Sequence, residues 1–344
     1  MPDSVREMRV LAGVDDLPAG LRYVLVIGVF DGVHRGHQRV IGATVDAARD
    51  LGAVPVALTF DPHPSAVLGG SAPPLLCDPA ERLGQVSRLG VGIAVVQPFD
   101  RQFADQTPEA FLRRLAASRD LSGLVMTPES AFGRDRAGAP ATIERLAEPM
   151  GFRVFEVDQL TVAGAPISST RLREALAGGR LAEVRRLLGR RYAVIGEVVT
   201  GDRRGRALGY PTANLRFDQA VALPLDGIYA VRVSWGGSDP LDPARRADGV
   251  ASLGVRPTFR GGARTLEVYL FDVDEELYGE RLRLEFVRRQ RGERRFASAD
   301  ALVRQMERDA ECGRVRRCRE HLGAIQPGCF VVQTSRDVSG VRGE

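Results

Sequence analysis

The stretch "YVLVIGVFDGVHRGH", residues 23–37, joins a continuous apolar run to a turn that carries two of the four histidines of the chain. The run over 23–30 is rich in β-branched residues, which is typical of a strand buried on both faces. Apolar residues then recur at helical spacing from 40 to 51, Gly52 follows, and a second apolar run covers 53–60. This β-α-β order predicts a parallel sheet.

Further runs continue the pattern through the first half. Strands are predicted at 93–96, 123–126 and 152–157, with helical patterns between them, for example at 108–117. We therefore expect the first half to be a Rossmann-like α/β domain.

The second half predicts a different architecture. Residues 173–192 predict two short helices separated by a glycine break. Short strands with turn residues between them follow at 194–199, 227–233, 251–255, 266–271 and 282–287, and a helix follows at 297–312. This order predicts an antiparallel β-barrel that ends in a helix. We expect a boundary near Gly189, with domains at 1–188 and 189–344.

The composition narrows the possible chemistry. The 344 residues include 48 basic and 44 acidic side chains, a net charge of +4, and every basic residue is arginine. Without lysine, a GxxxxGK[ST] phosphate loop and a Schiff-base lysine are excluded. The cysteines form no CxxC pair, which disfavours a zinc knuckle or a disulfide framework; they are Cys77, Cys312, Cys318 and Cys329.

Two further expectations concern partners and location. No apolar run approaches the length of a membrane span, and the N-terminus has no signal-peptide core, so we expect a cytoplasmic protein. The stretch 281–295 is arginine-rich and leaves a nucleic-acid-binding protein as an alternative. The mixed charge of the whole chain argues against it, and we expect neither a nucleic-acid nor a membrane partner.

The paired histidines mark a candidate site in the first half. His34 and His37 follow the carboxyl end of the first predicted strand, where open α/β sheets bind ligands. A helix N-terminus there offers free N–H groups to an anion, and Gly32 and Gly36 permit close approach. Three interpretations remain open: a structural pair, a metal site without a visible third ligand, or a phosphate site, which the helix N-terminus favours.

The second half contains its own candidate site. "GDRRGRALGYPTANL", residues 201–215, has Gly201, Gly205 and Gly209 at regular spacing, as in a hairpin loop or a loop that wraps an anion. Thr212 and Asn214 present hard oxygen atoms of the kind that Mg²⁺ prefers. In "LEVYLFD", residues 266–272, alternation puts Glu267 opposite the apolar residues, as a general base or as an ordinary solvated carboxylate.

Three stretches of the first half resemble one family. "GVFDGVHRGH", residues 28–37, is similar to the HxGH signature of the nucleotidyltransferase superfamily, in the form seen in bacterial FAD synthetases. "TFDPHP" at 59–64 and "ISSTRLREAL" at 167–176 resemble further motifs of that family, in the same order. The resemblance implies contacts to the phosphates of ATP from Gly28, Phe30, Asp31, His34, Gly36, His37, Ser168, Ser169, Thr170 and Arg173.

One segment departs from that family. Its usual pattern is VGxDFxFG, in which Asn can stand for Asp, whereas this chain reads "VMTPESAFG" at 125–133. Thr127, Glu129 and Ser130 replace glycine, the short acidic or amide residue and phenylalanine. Thr127 adds a Cβ near the nucleotide, and Glu129 supplies a longer carboxylate. As one alternative, these changes predict adenylyl transfer that is weaker or acts on another substrate.

Residues 190–322 resemble the riboflavin kinase module. The motifs are the PTAN-containing loop, "DGIYAV", "SLGVRPTF", "LEVYLFD" and "LYGERLRLEFV". The resemblance implies that Thr212 and Asn214 hold Mg²⁺ with ATP, and that Glu267 activates the ribityl hydroxyl. It also implies that Arg291 lies near the flavin site.

The whole chain is thus similar to bifunctional bacterial riboflavin kinases/FAD synthetases. The resemblance implies that riboflavin is phosphorylated by ATP to FMN, and that FMN is joined to AMP from a second ATP to give FAD and pyrophosphate. The expected cofactor is Mg²⁺ with ATP. The alternatives are a riboflavin kinase with a weakened or re-targeted adenylyltransferase half and, from another class, the nucleic-acid-binding protein.

Overall fold

The structure is a computed structural model that describes residues 8–117, 119–201, 211–255, 264–294, 301, 304–305 and 307–311. The chain divides into two units, Met1–Arg295 and Phe296–Glu344. In the second unit the described residues are helical and fall within the predicted helix 297–312. Among the described residues, no helix is long and apolar enough to cross a membrane.

The first half folds as the predicted parallel sheet with helices. Its strands are β1 (Arg9–Leu11), β2 (Arg22–Ile27), β3 (Val54–Asp61), β4 (Ile93–Pro98), β5 (Asp120–Met126) and β6 (Arg153–Glu156). They pair in the order β1-β4-β3-β2-β5-β6, and every pair is parallel. β2 and β3 therefore lie at the centre of the sheet.

Helices cover both faces of this sheet. They are α1 (Arg35–Asp50), α2 (Pro64–Val67), α3 (Pro79–Arg88), α4 (Arg101–Ala104), α5 (Pro108–Ala116) and α6 (Pro140–Met150). Alternate residues of β2 enter different cores: Leu25 packs in the same cluster as Leu112 of α5, and Val24 in the same cluster as Ile41 of α1. The continuous apolar run of β2 follows from burial on both faces.

The predicted strand over 23–30 is shorter in the structure. β2 ends at Ile27, and the chain then turns through Phe30, Gly32 and Val33, all at positive φ. Phe30 is nevertheless buried, at 2% exposure, against residues that face α1. An apolar run can thus continue from a buried strand into a buried loop, which is why the sequence overestimates the length of this strand.

The barrel follows two helices and a small hairpin. β7 (Thr161–Val162) and β8 (Ala165–Pro166) precede α7 (Ser169–Ala177) and α8 (Leu181–Leu188). The barrel strands are β9 (Ala193–Val199), β10 (Ala213–Arg216), β11 (Gly227–Trp235), β12 (Arg245–Val255), β13 (Arg264–Leu270) and β14 (Arg281–Arg291). They close in the order β10-β13-β12-β11-β14-β9, with antiparallel pairs throughout. The predicted architecture of the second half is confirmed.

The barrel and the sheet are in direct contact along α3 and the segment before it. The Leu75 N–H donates to Ala220 O at 2.8 Å, and the Ala222 N–H donates to Leu75 O at 2.9 Å. Arg283 of β14 forms an ion pair with Glu81 of α3 at 3.0 Å, and both side chains are buried. Charged side chains of this kind are rarely buried unless they are paired.

Candidate active sites

The turn between β2 and α1 brings both histidines to the N-terminus of α1. His34 is the N-cap: its Nδ1 accepts the His37 N–H at 3.2 Å. The two rings stack with centroids 3.6 Å apart. A Cβ at Gly36 would lie 3.1 Å from Nδ1 and Cε1 of His34, so a side chain larger than glycine would displace that ring.

Both imidazoles are neutral at neutral pH. Burial, with a smaller contribution from the charge of Arg190, lowers the pKa of His34 to about 4. Burial and the neighbouring His34 hold the pKa of His37 well below its ordinary value. Because Nδ1 of His34 accepts a hydrogen bond, its proton resides on Nε2, which makes that atom a hydrogen-bond donor.

A large cleft opens at this turn. Its volume is about 980 Å³, and it is lined by the turn, by the start of α7 and by the segment after β5. From the predicted set it contains Gly28, Phe30, His34, Gly36, His37, Ser168, Ser169 and Thr170. The Nδ1 of His37 is buried and has no hydrogen-bond partner within the described part of the chain. The structure thus brings eight predicted phosphate-site residues to one cavity.

Asp31 and Arg173 pair with each other and are not among the residues that line this cleft. Asp31 is 2% exposed and accepts the Leu76 N–H on both carboxylate oxygens, at 2.9 and 3.1 Å. Arg173 contacts it at 2.5 Å and donates to Pro74 O at 2.8 Å. Burial raises the pKa of Asp31, and the charge of Arg173 opposes this. A phosphate contact by Arg173 stays a prediction.

The candidate kinase residues lie in one row across the barrel. Asn214 of β10 pairs with Glu267 of β13, Glu267 with Ser252 of β12, Ser252 with Ile228 of β11, and Ile228 with Arg291 of β14. Directly paired residues of antiparallel strands point to the same face. The row thus places Asn214, Glu267 and Arg291, which are far apart in sequence, at one level of the barrel.

Glu267 faces away from the barrel core, as its alternation predicts. Leu266 and Val268 are buried in the core, whereas Glu267 is half-buried on the other face. Its carboxylate accepts the Thr212 hydroxyl at 3.4 Å. Asn214 packs against Gly201, where a Cβ would lie 2.2 Å from its amide nitrogen. Hydroxyl, amide and carboxylate oxygens therefore converge at the end of β9.

The remaining predicted residues of this half are Arg291 and two glycines of the 201–215 segment. Arg291 ends β14, and its guanidinium donates to Gly292 O at 3.0 Å. Gly205 and Gly209 lie outside the described residues. Their predicted part in an anion-binding loop stays a prediction.

Comparison with known proteins identifies both halves. A family model for riboflavin kinase matches residues 188–316, and one for FAD synthetase matches residues 19–171. The bifunctional riboflavin kinase/FMN adenylyltransferase of Listeria monocytogenes is 35% identical over 294 residues, covering 84% of this chain and 90% of that protein. Its counterpart in Escherichia coli K12 is 34% identical over 324 residues, covering 93% and 100%.

The chain belongs to this bifunctional family. The resemblance predicted from the sequence is confirmed. A crystal structure from Streptococcus pneumoniae, described as a macrolide-efflux protein, is 31% identical with a TM-score of 0.79 and covers 89% of this chain and 98% of its own. The FAD synthetase half contains the match at residues 19–171, and the riboflavin kinase half contains the match at residues 188–316.

The segment that departs from the FAD synthetase pattern forms a turn of its own. The Ser130 hydroxyl accepts the Thr127 N–H at 2.9 Å and lies 3.0 Å from the Thr127 hydroxyl. The Ser130 N–H donates to Thr127 O at 2.9 Å. Glu129 is exposed, and all three residues line the cleft. The two hydroxyl side chains therefore stabilise the turn locally, without the glycine and the phenylalanine of the usual pattern.

Sequence reasoning missed the residues that surround the histidine turn. The Gly32 N–H donates to the sulfur of Cys77 at 3.3 Å, and Arg190 donates to Gly32 O and Val33 O. Burial raises the pKa of the Cys77 thiol to about 12, so this thiol stays protonated. These contacts join distant parts of the chain and have no local pattern that a sequence would show.

Proposed function

We propose that this chain carries out both reactions of its family. The riboflavin kinase half transfers the γ-phosphoryl group of ATP to riboflavin and forms FMN. The FAD synthetase half joins FMN to AMP from a second ATP and releases pyrophosphate. The observation that carries the proposal is the presence, in one chain, of the histidine-lined cleft and of the Thr212–Glu267 cluster. The halves divide near Gly189, and we expect the enzyme to act in the cytoplasm.

For adenylyl transfer, the cleft supplies neutral hydrogen-bond donors to the phosphates of ATP. A phosphate oxygen of FMN attacks the α-phosphorus, and the bond from the α-phosphorus to the bridging oxygen of the leaving pyrophosphate breaks. Nε2–H of His34 and the free N–H groups at the start of α1 donate to oxygens whose negative charge increases in the transition state. The free N–H groups of Ser168, Ser169 and Thr170 at the start of α7 provide a second set of donors on the same cleft, whereas the Ser169 hydroxyl donates to Asp31 O at 3.2 Å.

Aromatic side chains offer a surface for the flavin. Phe103 contacts Phe60, Phe99 and Phe111 with ring centroids 5.4 to 6.0 Å apart, and Phe132 contacts Phe111 at 5.8 Å. All five rings line the cleft. Stacking on such rings suits a planar, largely apolar isoalloxazine.

For the kinase reaction, Glu267 acts as the general base. Its carboxylate accepts the proton of the ribityl hydroxyl as that oxygen attacks the γ-phosphorus of ATP. Kinases of this kind generally use a divalent metal with ATP, and we propose Mg²⁺. The oxygens of Thr212 and Asn214 fit it because they are hard donors beside a carboxylate, and ATP and water would complete its ligands. When bound, the metal would neutralise the charge of the phosphates.

One incubation tests both halves. Purified protein is given riboflavin, ATP and Mg²⁺, and the flavins are separated by chromatography. We expect FMN first and FAD afterwards. FMN without FAD would favour the alternative, in which the turn formed by Thr127 and Ser130 disables or re-targets the FAD synthetase half. Absence of both products would overturn the proposal.

A further inference from the structure

The turn that carries His34 adopts a backbone that needs support from outside. Phe30, Gly32 and Val33 have φ angles of 53°, 77° and 38°. Glycine adopts such angles readily, whereas a β-branched residue such as Val33 rarely does. Backbone of this kind persists only where surrounding contacts fix it. The residues that make those contacts therefore determine where His34 lies.

Arg190 makes two of those contacts from the start of the riboflavin kinase half. Its Nη2 donates to Gly32 O at 2.9 Å, and its Nη1 donates to Val33 O at 3.3 Å. The amide of Gln38 adds a bond to Val33 O at 2.9 Å and reaches Leu188 O at the same distance. The carbonyls of the residues immediately before His34 are thus held by a planar guanidinium, whose geometry suits two acceptors.

A second connection joins the same turn to the barrel. The Leu76 N–H donates to the Asp31 carboxylate, and the sulfur of Cys77 accepts the Gly32 N–H. The preceding residue, Leu75, exchanges two backbone hydrogen bonds with the barrel half, at Ala220 and Ala222. Two sets of contacts therefore hold the turn. One comes from Arg190, which belongs to the kinase half, and the other comes from the segment 75–77, which contacts that half.

We propose that Arg190 is a positioning residue for adenylyl transfer: it fixes the carbonyls of Gly32 and Val33 so that Nε2–H of His34 is directed at the phosphates in the cleft. The kinase half thereby completes the site of the FAD synthetase half. This inference rests on the proposed function of the cleft.

The test compares Arg190→Met, Arg190→Lys and a matched control, Arg185→Met, which replaces an exposed arginine of the neighbouring helix α8. With FMN and ATP as substrates, we expect Arg190→Met to lower kcat about tenfold or more while the KM for FMN changes little, because the donor is misaligned and the binding surfaces remain. Arg190→Lys should recover part of that loss, since an ammonium can donate to both carbonyls. The kinase rate should match that of the control.

Hydrogen exchange of the full-length protein gives a second readout that is independent of turnover. Amides of residues 30–37 should exchange faster in Arg190→Met than in Arg185→Met, whether or not FAD is formed. Equal kcat in these two variants, or equal exchange, would overturn the proposal. So would a parallel fall of kinase rate, FAD synthesis and unfolding temperature without recovery in Arg190→Lys, because that pattern indicates a purely structural role. Wild-type protein that forms no FAD would instead refute the proposed function.

Discussion

His34 has two roles on two different atoms, and substitutions can separate them. Its Nδ1 caps α1 by accepting the His37 N–H, and in the proposed mechanism its Nε2 carries the proton that is donated to the phosphates. In His34→Asn the side-chain oxygen can still accept that N–H, but no atom reaches the position of Nε2. In His34→Ala both the cap of α1 and the Nε2 donor are lost.

The magnitudes of the two losses differ. Loss of one donor to a developing negative charge lowers kcat by about 10²–10³, or about 3–4 kcal/mol of transition-state stabilisation. Loss of an N-cap costs about 1 kcal/mol of folding free energy. We therefore expect His34→Asn and His34→Ala to lose FAD synthesis to a similar extent, and only His34→Ala to lose the stability contributed by the cap.

The assay is pyrophosphate release from ATP with FMN, together with denaturant unfolding of the same preparations. FMN formation from riboflavin serves as the internal control, since the barrel does not use His34. If His34→Asn releases pyrophosphate as fast as the wild type, the phosphate-stabilising role of Nε2 is wrong. A stoichiometric transition metal in purified wild-type protein would favour a ligand role instead.

The same residue predicts a pH dependence of stability. The unfolded chain binds a proton at the ordinary histidine pKa of 6.5, whereas folded His34 binds it at about 4. The unfolded state is therefore favoured as the pH falls from 6.5 towards 4, by about 3 kcal/mol in total from this residue. Above pH 6.5 this contribution vanishes, since both states are neutral. His34→Asn should lose less free energy of unfolding than the wild type over this interval; equal losses would contradict the low pKa.

Three further outcomes follow from the barrel and its contact with the sheet. Glu267→Gln should abolish FMN formation yet leave supplied FMN convertible to FAD, because an amide cannot accept the hydroxyl proton; loss of both products would show that the sites are interdependent. Thr212→Ala should raise the Mg²⁺ concentration for half-maximal kinase activity, and an unchanged Mg²⁺ titration would place the metal elsewhere. Arg283→Met should lower the free energy of unfolding by about 3–5 kcal/mol, because it leaves Glu81 buried and unpaired, and denaturant unfolding measures this loss. The double variant, Arg283→Met with Glu81→Leu, should recover most of that free energy. Equal stability of the single and double variants would argue against the pair.

Local patterns predicted most of the architecture. The apolar run of β2, the helical spacing of α1 and the alternation around Glu267 each follow from contacts within one element, so the sequence shows them directly. β1 escaped prediction because its three residues are too few to establish a period.

The contacts that complete the sites could not be predicted in this way. Arg190 lies 158 residues from Gly32, and Arg283 lies 202 residues from Glu81. Their pairing depends on how the barrel meets the sheet, which no local period encodes. The sequence pointed to Thr212, Asn214 and Glu267 as candidate site residues, but only the strand register shows that Asn214 pairs directly with Glu267.

The edge strands of the sheets also bear on self-association. An exposed strand edge is a template on which another chain can add its own strand. The parallel sheet ends in β1 and β6, of three and four residues, and the strands of the barrel close upon themselves. Short edges and a closed barrel offer little backbone for intermolecular pairing, so we expect the folded enzyme to resist cross-β aggregation even at high concentration.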